Sequence, residues 1–407
     1  MRHTTPTRRR SPFNRASAAL AAEEHCVFEA CVDTSRHRLL DSQFQLHSAF
    51  GDAWFFDRIA RSYEPSPIEP CATPSLDIRV HHASAAELDD AAADWPAHAR
   101  FHRSLNYPHW NLEGPAHLDA DNSTGAIHLP GEGMLFRHDA RRACLDVHID
   151  PMHALRSSEL IFHAARNLTL WRRGPRFAPM LHASAIVLDG AAWLFLGSKG
   201  AGKSTLFIDT VLRHGARPLA NDRVLLDAED GRSVWSWPSY LSYCEGTIVD
   251  YPELRRIFDA GLRDLQRRHL DAGQTCDRAL YRRSYLQQHK RIVAPCLLAE
   301  VLGTLYVPRA PLAGVVRATL EPGHAAGITL HSAGSTAGLQ HADIADALFP
   351  ADDPDFPCWH GDTRGLAQRG DPAAAALGWL RAAGVPWLEV TLDPVSGKQG
   401  LRKLLDR

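Results

Sequence analysis

Apolar and polar positions divide the chain into two stretches of different clarity. Between residues 24 and 90 the apolar runs are short, as in Cys26–Val32 and Leu76–Val80, and read as strands. A turn-rich stretch separates them, from Pro65-Ser66-Pro67 through Pro70 to Pro74. Ala126–Leu129 and Met134–His138 flank Gly131-Glu132-Gly133 and read as a hairpin. In Ser157–Trp171 the residues Leu160, Ile161, Ala164 and Leu168 recur at helical spacing and share one face. Residues 21–175 therefore read as an α+β N-terminal domain, a substrate-recognition unit in the fullest version of this reading.

From residue 178 the pattern sharpens. Ala183–Leu188 is an apolar strand, Asp189-Gly190 a hairpin turn and Ala191–Leu196 the returning strand. A glycine-rich loop follows at Gly197–Ser204, then a helix over Thr205–His214 that Gly215 can cap. Arg217–Ala220 opens the next strand. Residues 253–290, rich in Arg, Leu and Gln, read as one or two exposed helices, and Leu302–Val307 reads as a strand. Pro372–Ala383 is a helix, Trp387–Leu392 a strand and Gly400–Leu405 a last helix. Residues 176–407 are thus an α/β domain, and residues 1–20, with Arg8, Arg9 and Arg10 in a row, read as a disordered basic tail.

Composition narrows the classes. At 407 residues with 45% hydrophobic and 23% charged positions and a formal net charge of −2, the chain has room for two or three domains. The balance argues against a nucleic-acid binder. No apolar run approaches the roughly 20 residues that span a bilayer, which argues against a membrane partner. The tail lacks the apolar core of a secretory signal. None of the 8 cysteines forms a CxxC pair, so they read as buried, reduced thiols of a cytoplasmic protein.

Chemistry concentrates in Gly197-Ser198-Lys199-Gly200-Ala201-Gly202-Lys203-Ser204, which satisfies GxxxxGK[ST] and leads into Thr205. Glycines let successive backbone N–H groups face phosphate oxygens, and the helix beginning at Lys203 aims its positive end at the same anion. Lys203 supplies a cation to the β/γ phosphates, and the Ser204 hydroxyl can ligate Mg²⁺. With an apolar strand before it and a helix after it, the motif predicts a nucleoside triphosphate site. Asp222, in Asn221-Asp222-Arg223, follows the next strand, where α/β folds place ligand chemistry. It can take a proton from an attacking hydroxyl or hold the metal; a turn or cap aspartate is the plainer reading. Arg223 reads equally as a phosphate contact and as a surface arginine. His182 reads as a structural strand-end histidine or as a partner of Asp222. Arg282, Arg283, Lys290 and Arg291 form a basic cluster, a solvated helix face or a phosphate clamp. His98 and His102 have i, i+4 spacing, a weak metal signal.

Leu181-His182-Ala183-Ser184-Ala185, the Asp189-Gly190 turn, the phosphate loop, His214-Gly215-Ala216-Arg217 and Asn221-Asp222-Arg223-Val224 follow one another closely. Together they resemble the catalytic domain of the HPr kinase/phosphorylase-like family, whose relatives include lasso-peptide precursor kinases. The terminal Val385–Val390 strand is similar to that family's end, whereas residues 21–175 match nothing in it. The resemblance implies a P-loop kinase domain, similar to HPr kinase and phosphoenolpyruvate carboxykinase, after the α+β domain. It implies transfer of the ATP γ-phosphate, with Mg²⁺, to a Ser/Thr hydroxyl of a peptide or small protein, and a homo-oligomer. Carried over, Gly197, Gly200, Gly202, Lys203 and Ser204 hold phosphates and metal, and Asp222 and His182 join Lys203 in catalysis. Glu245, before Gly246, is the nearest match to a further metal-holding glutamate. Asn221 departs from the family by replacing the first of two adjacent aspartates. A small-molecule hydroxyl kinase and a non-catalytic nucleotide-binding regulator therefore stay open beside the peptide kinase.

Overall fold

Strands of the chain assemble into two large sheets, each with its own core. The computed structural model describes residues 33–39, 42–48, 76–95, 100–105, 110–118, 124–139, 141–153, 180–198, 200–237, 241–244, 290–293, 295–320, 329–348 and 371–392, with 160–161, 164–165, 168–169, 251 and 253–254 besides. The expected basic tail, Cys26–Val32, the proline-rich stretch, His98, Lys199, Glu245, Arg282, Arg283 and Gly400–Leu405 lie outside these residues.

The first sheet has eight strands: β1 (Asp33–Leu39), β2 (Ser42–Ser48), β3 (Leu76–His82), β4 (Arg100–Leu105), β5 (Trp110–Leu118), β6 (Thr124–Leu129), β7 (Met134–Asp139) and β8 (Cys144–Ile149). Their order is β1-β2-β3-β8-β7-β6-β5-β4, with β2, β3 and β8 parallel and the other neighbours antiparallel. Alternation builds it: Leu145, Val147 and Ile149 of β8 are buried, and Cys144, Asp146 and His148 between them are half-buried. The buried side forms one core with Ile78, Ile127, Phe136 and the helical residues Leu160, Ile161, Ala164 and Leu168, as their spacing predicts. On the other side His81 stacks on His148 with ring centroids 4.9 Å apart and lies 3.8 Å from Asp146. The Cys144 thiol donates to Asp146 at 3.6 Å, and burial beside that carboxylate pushes its pKa up to about 12. It is half-buried rather than buried as expected. Helix α1 (Ala85–Ala92) starts at a capping box in which Ser84 and Glu87 bond each other's backbone N–H.

The second sheet collects β9 (Leu181–His182), β10 (Ser184–Leu188), β11 (Ala191–Leu196), β12 (Arg217–Ala220), β13 (Arg223–Leu226) and β14 (Ser233–Ser236). Helix α2 (Lys203–His214) joins β11 to β12. The pair β15 (Leu241–Cys244) and β16 (Lys290–Val293) stands apart as a two-stranded ribbon, and helix α3 (Pro295–Leu302) follows. The large sheet is completed by β17 (Arg309–Leu320), β18 (Thr329–Ser335) and β19 (Pro386–Leu392), with α4 (His341–Ala345) and α5 (Pro372–Ala383) between the last two. Its order is β12-β10-β11-β17-β14-β13-β9, with β19 pairing β17 and β18. Pairs β11–β17 and β17–β19 are parallel, and the rest are antiparallel. The chain is therefore mixed α/β, with both strand directions in each large sheet. Alternate residues of each strand serve opposite faces. Ile186, Phe195, Val316 and Val390 pack with Leu206, Phe207 and Val211 of α2, while Val187, Leu194, Val315 and Trp387 pack with Ala376 and Leu380 of α5.

Three expectations are corrected. Leu302–Val307 is no strand: Leu302 ends α3, Gly303 turns the chain at φ 64°, and the strand begins at Arg309. Lys290 and Arg291 lie on β16 rather than on a helix, so these two are not part of a helix face. His102 lies in β4, where i, i+4 spacing does not juxtapose side chains. Among the described residues no helix is long and apolar enough to cross a membrane.

Candidate active site

The hairpin that feeds the glycine loop turns on Asp189 and Gly190, both with positive φ (51° and 81°), the geometry that Asp-Gly favours. β11 then runs beside β17, with Leu196 opposite Arg317. At the next position only glycine fits. Gly197 has φ 144°, and a Cβ there would stand 2.5 Å from the Ala318 carbonyl oxygen and 2.9 Å from the Ala201 methyl. Gly200 and Gly202 also take positive φ, and Gly202 caps α2 without any side-chain bond to the first turn. The N–H groups ahead of the Leu206-to-Gly202 bond are thus left to other acceptors, at the positive end of a helix. Lys203 is 7% exposed, and its Nζ donates to the carbonyl oxygens of Gly197 (2.8 Å) and Ser198 (3.0 Å). Its cation is held over the loop's own backbone, and Ser204 beside it is half-buried. This donor set fits an oligophosphate: uncapped amides, a lysine ammonium and a hydroxyl at one loop.

A second group of residues gathers where β12 passes into β13. His182 and Arg223 are cross-strand partners, which brings His182 Nε2 to 3.3 Å from Asp222 Oδ1. The other carboxylate oxygen, Oδ2, accepts from Arg223 Nε at 3.4 Å. Asp222 keeps 28% of its side chain exposed, whereas the Arg223 guanidinium is buried. Arg223 is therefore a partner of Asp222, not a surface arginine. Asn221 is 6% exposed. Its backbone carbonyl accepts from the Ser184 hydroxyl (2.8 Å), and its Oδ1 accepts from the Tyr306 hydroxyl (2.9 Å).

Topology brings the two groups to one edge. β10 lies between β12 and β11 and runs against both, pairing Ala185 with Ala220 and Ser184 with Phe195. The carboxyl ends of β11 and β12 therefore point the same way, as do those of β17 and β19. Two strand spacings separate the β11 and β12 ends, about 10 Å. Open α/β sheets bind ligands at such an edge.

One more ionisable group sits on α2. Asp209 is buried and accepts from the Tyr251 hydroxyl at 2.8 Å, with His214 Nε2 at 3.6 Å. Burial pushes its carboxyl above the usual range, against the pull of Tyr251, His214 and Arg213. No linear signal singled out Asp209, Tyr251 or Tyr306: the Asp209–Tyr251 and Asn221–Tyr306 bonds join residues 42 and 85 positions apart. An Asp on the buried face of an amphipathic helix was the one available hint.

Of the expected residues, Gly197, Ser198, Gly200, Ala201, Gly202, Lys203, Ser204 and Thr205 form one loop and helix start, and His182 meets Asp222. Among the described residues no three His, Cys, Asp or Glu side chains converge as a metal-binding group. No family model and no curated protein matches this chain.

Proposed function

We propose that the chain is an ATP- and Mg²⁺-dependent phosphotransferase of the HPr-kinase-like kind, acting on a Ser/Thr hydroxyl of a peptide or small protein. The observation that carries the reading is the shared sheet edge: Lys203 folded over a glycine loop, with Asp222 paired to His182 two strands away. In this reading the loop amides and Lys203 bind the β and γ phosphates. Ser204 and Asp222 would hold Mg²⁺, which supplies charge neutralisation on the phosphates. The acceptor hydroxyl oxygen attacks the γ-phosphorus, the bond from that phosphorus to the bridging oxygen breaks, and ADP leaves. Asp222 takes the hydroxyl proton, while His182 and Arg223 hold its carboxylate in place.

A second reading, a nucleotide-binding regulator without transfer, is favoured by Asn221, an amide where the resemblance expects a carboxylate. Incubating the protein with γ-labelled ATP, Mg²⁺ and Ser/Thr-containing peptides separates the two. Label on a peptide hydroxyl, absent with Lys203→Ala, supports the kinase. Tight ATP binding with no label on peptides or small hydroxyl compounds supports the regulator.

A further inference from the structure

Beside Asp222 the same corner carries a buried polar contact that the proposed transfer leaves without a task. Tyr306 is fixed on three sides. Its ring stacks on Phe207 of α2, with centroids 6.4 Å apart and planes at 29°. The next residue, Val307, donates its N–H to Pro218 in β12 at 2.8 Å. The Tyr306 hydroxyl donates to Asn221 Oδ1 at 2.9 Å. One side chain thus touches the helix that begins with Lys203 and the corner that carries Asp222.

We propose that Asn221 and Tyr306 are a positioning pair, whose hydrogen bond holds the β12–β13 corner so that Asp222 meets His182 at the phosphate-loop edge. The inference rests on the nucleotide-site reading above. It assigns Asn221 a task of its own instead of treating it as a catalytic carboxylate that has been lost. Burial argues for this. Asn221 faces the core with both its carbonyl and its Oδ1 engaged, while Asp222 keeps an outward opening. A carboxylate at 221 would carry a charge into that core, whereas an amide accepts the phenol bond without one. The Ser184 hydroxyl and the Ala183 N–H, which bond the carbonyls of Asn221 and Asp222, tie the corner to the start of β10 but not to α2. Tyr306 supplies that second tie.

The test compares ATP affinity with Mg²⁺ and with EDTA, by calorimetry on the full chain, alongside thermal midpoints. Tyr306→Phe keeps the ring stack and removes only the hydroxyl. The gain in affinity conferred by Mg²⁺ is expected to fall on the order of fivefold, the worth of one hydrogen bond, with metal-free affinity unchanged. Asn221→Ala should match it, and the double variant should be no worse than either single one. An unchanged Mg²⁺ gain in Tyr306→Phe, or losses that multiply in the double variant, overturns the pair. If Tyr306→Phe melts too early to titrate, Asn221→Asp decides, because it keeps an acceptor oxygen. A Mg²⁺ gain at or below wild type supports positioning, and one above it marks position 221 as a vacated carboxylate seat and overturns the proposal. Wild-type protein that binds no ATP under either condition overturns the nucleotide reading itself.

Discussion

The two sheets differ in where their charges sit, although each half holds both kinds: Glu132 is buried beside the first sheet, and Arg317 pairs Glu389 in the open on the second. In the first, ionisable side chains line an open face in rows: His47 with Asp77 and His81 with Asp146 across strands, and Arg79 with Asp77 along β3. Such pairs are partly solvated and contribute little to stability. In the second, Lys203, Asp209, Arg223 and Asp227 are buried, most of them near the strand ends that lead into turns or into α2. Burying a charge costs far more than leaving it wet, so each needs partners in place. Asp227 has Trp235 Nε1 at 2.8 Å and Arg309 at 3.6 Å, and Lys203 has two carbonyls. The lesson is where to look for chemistry: at charges the fold holds inside, not at the more numerous charges it displays.

The sharpest way to test this contrast is to remove the buried lysine and the carboxylate that the buried Arg223 holds. Lys203→Ala and Asp222→Asn are each expected to lower phosphate transfer by about 100-fold or more while circular dichroism stays native. A wild-type transfer rate in Asp222→Asn would remove that residue from the role of base. Backbone crowding separates the sheets next. Gly197→Ala should cost about 1–3 kcal/mol and abolish ATP binding, since the added methyl meets the Ala318 carbonyl at a positive φ. Gly114→Ala, whose methyl would run into the His128 carbonyl, should destabilise the first sheet by at least as much. Nucleotide binding below the melting transition should survive it.

Acid should act with opposite signs on one partly buried group of the first sheet, His148, and one buried group of the helix on the second, Asp209. Burial against His81 and Arg137 lowers the His148 pKa to about 4 from its ordinary value near 6.5. The unfolded chain then binds the extra proton between those values, so His148 contributes stability above about pH 6.5 that is lost as pH falls toward 4. Asp209, raised by burial, does the reverse: it favours the folded state on the acid side and loses that contribution as pH rises through its folded value. Urea melts across pH 4 to 7 should flatten with His148→Gln and steepen with Asp209→Asn. The smallest effect expected is Ser84→Ala, which removes the α1 cap for about 1 kcal/mol and should leave ATP affinity untouched.

Local, contiguous signals were the legible ones. The β10 turn β11 hairpin, the loop, α2 and its Gly215 cap, and β12 were readable because each follows from residues within a turn or two of itself. The His182–Asp222 contact was one of two readings of that histidine, and the β9–β13 pairing that makes it carries no local signal. β17 was not legible, although it is the strand between β11 and β14. Pro311 and Gly314 interrupt its apolar run, as does Arg317, whose partly exposed side chain pairs with Asp343 and Glu389. The Asn221–Tyr306 bond was unreadable for the same reason: half of it is supplied from 85 residues away.

The parallel pairing of β11 with β17 has a consequence for how the protein is made. The ribosome delivers Gly197–Ser204 long before Ala318, the residue against which Gly197 closes, and before β19, which covers the far side of β17. A nascent chain that has just emitted α2 therefore carries the motif beside an open strand edge, with no wall for the loop to settle on. Competence to bind a nucleotide should arise late in synthesis, and products ending before Arg309 should carry every letter of the motif and bind nothing.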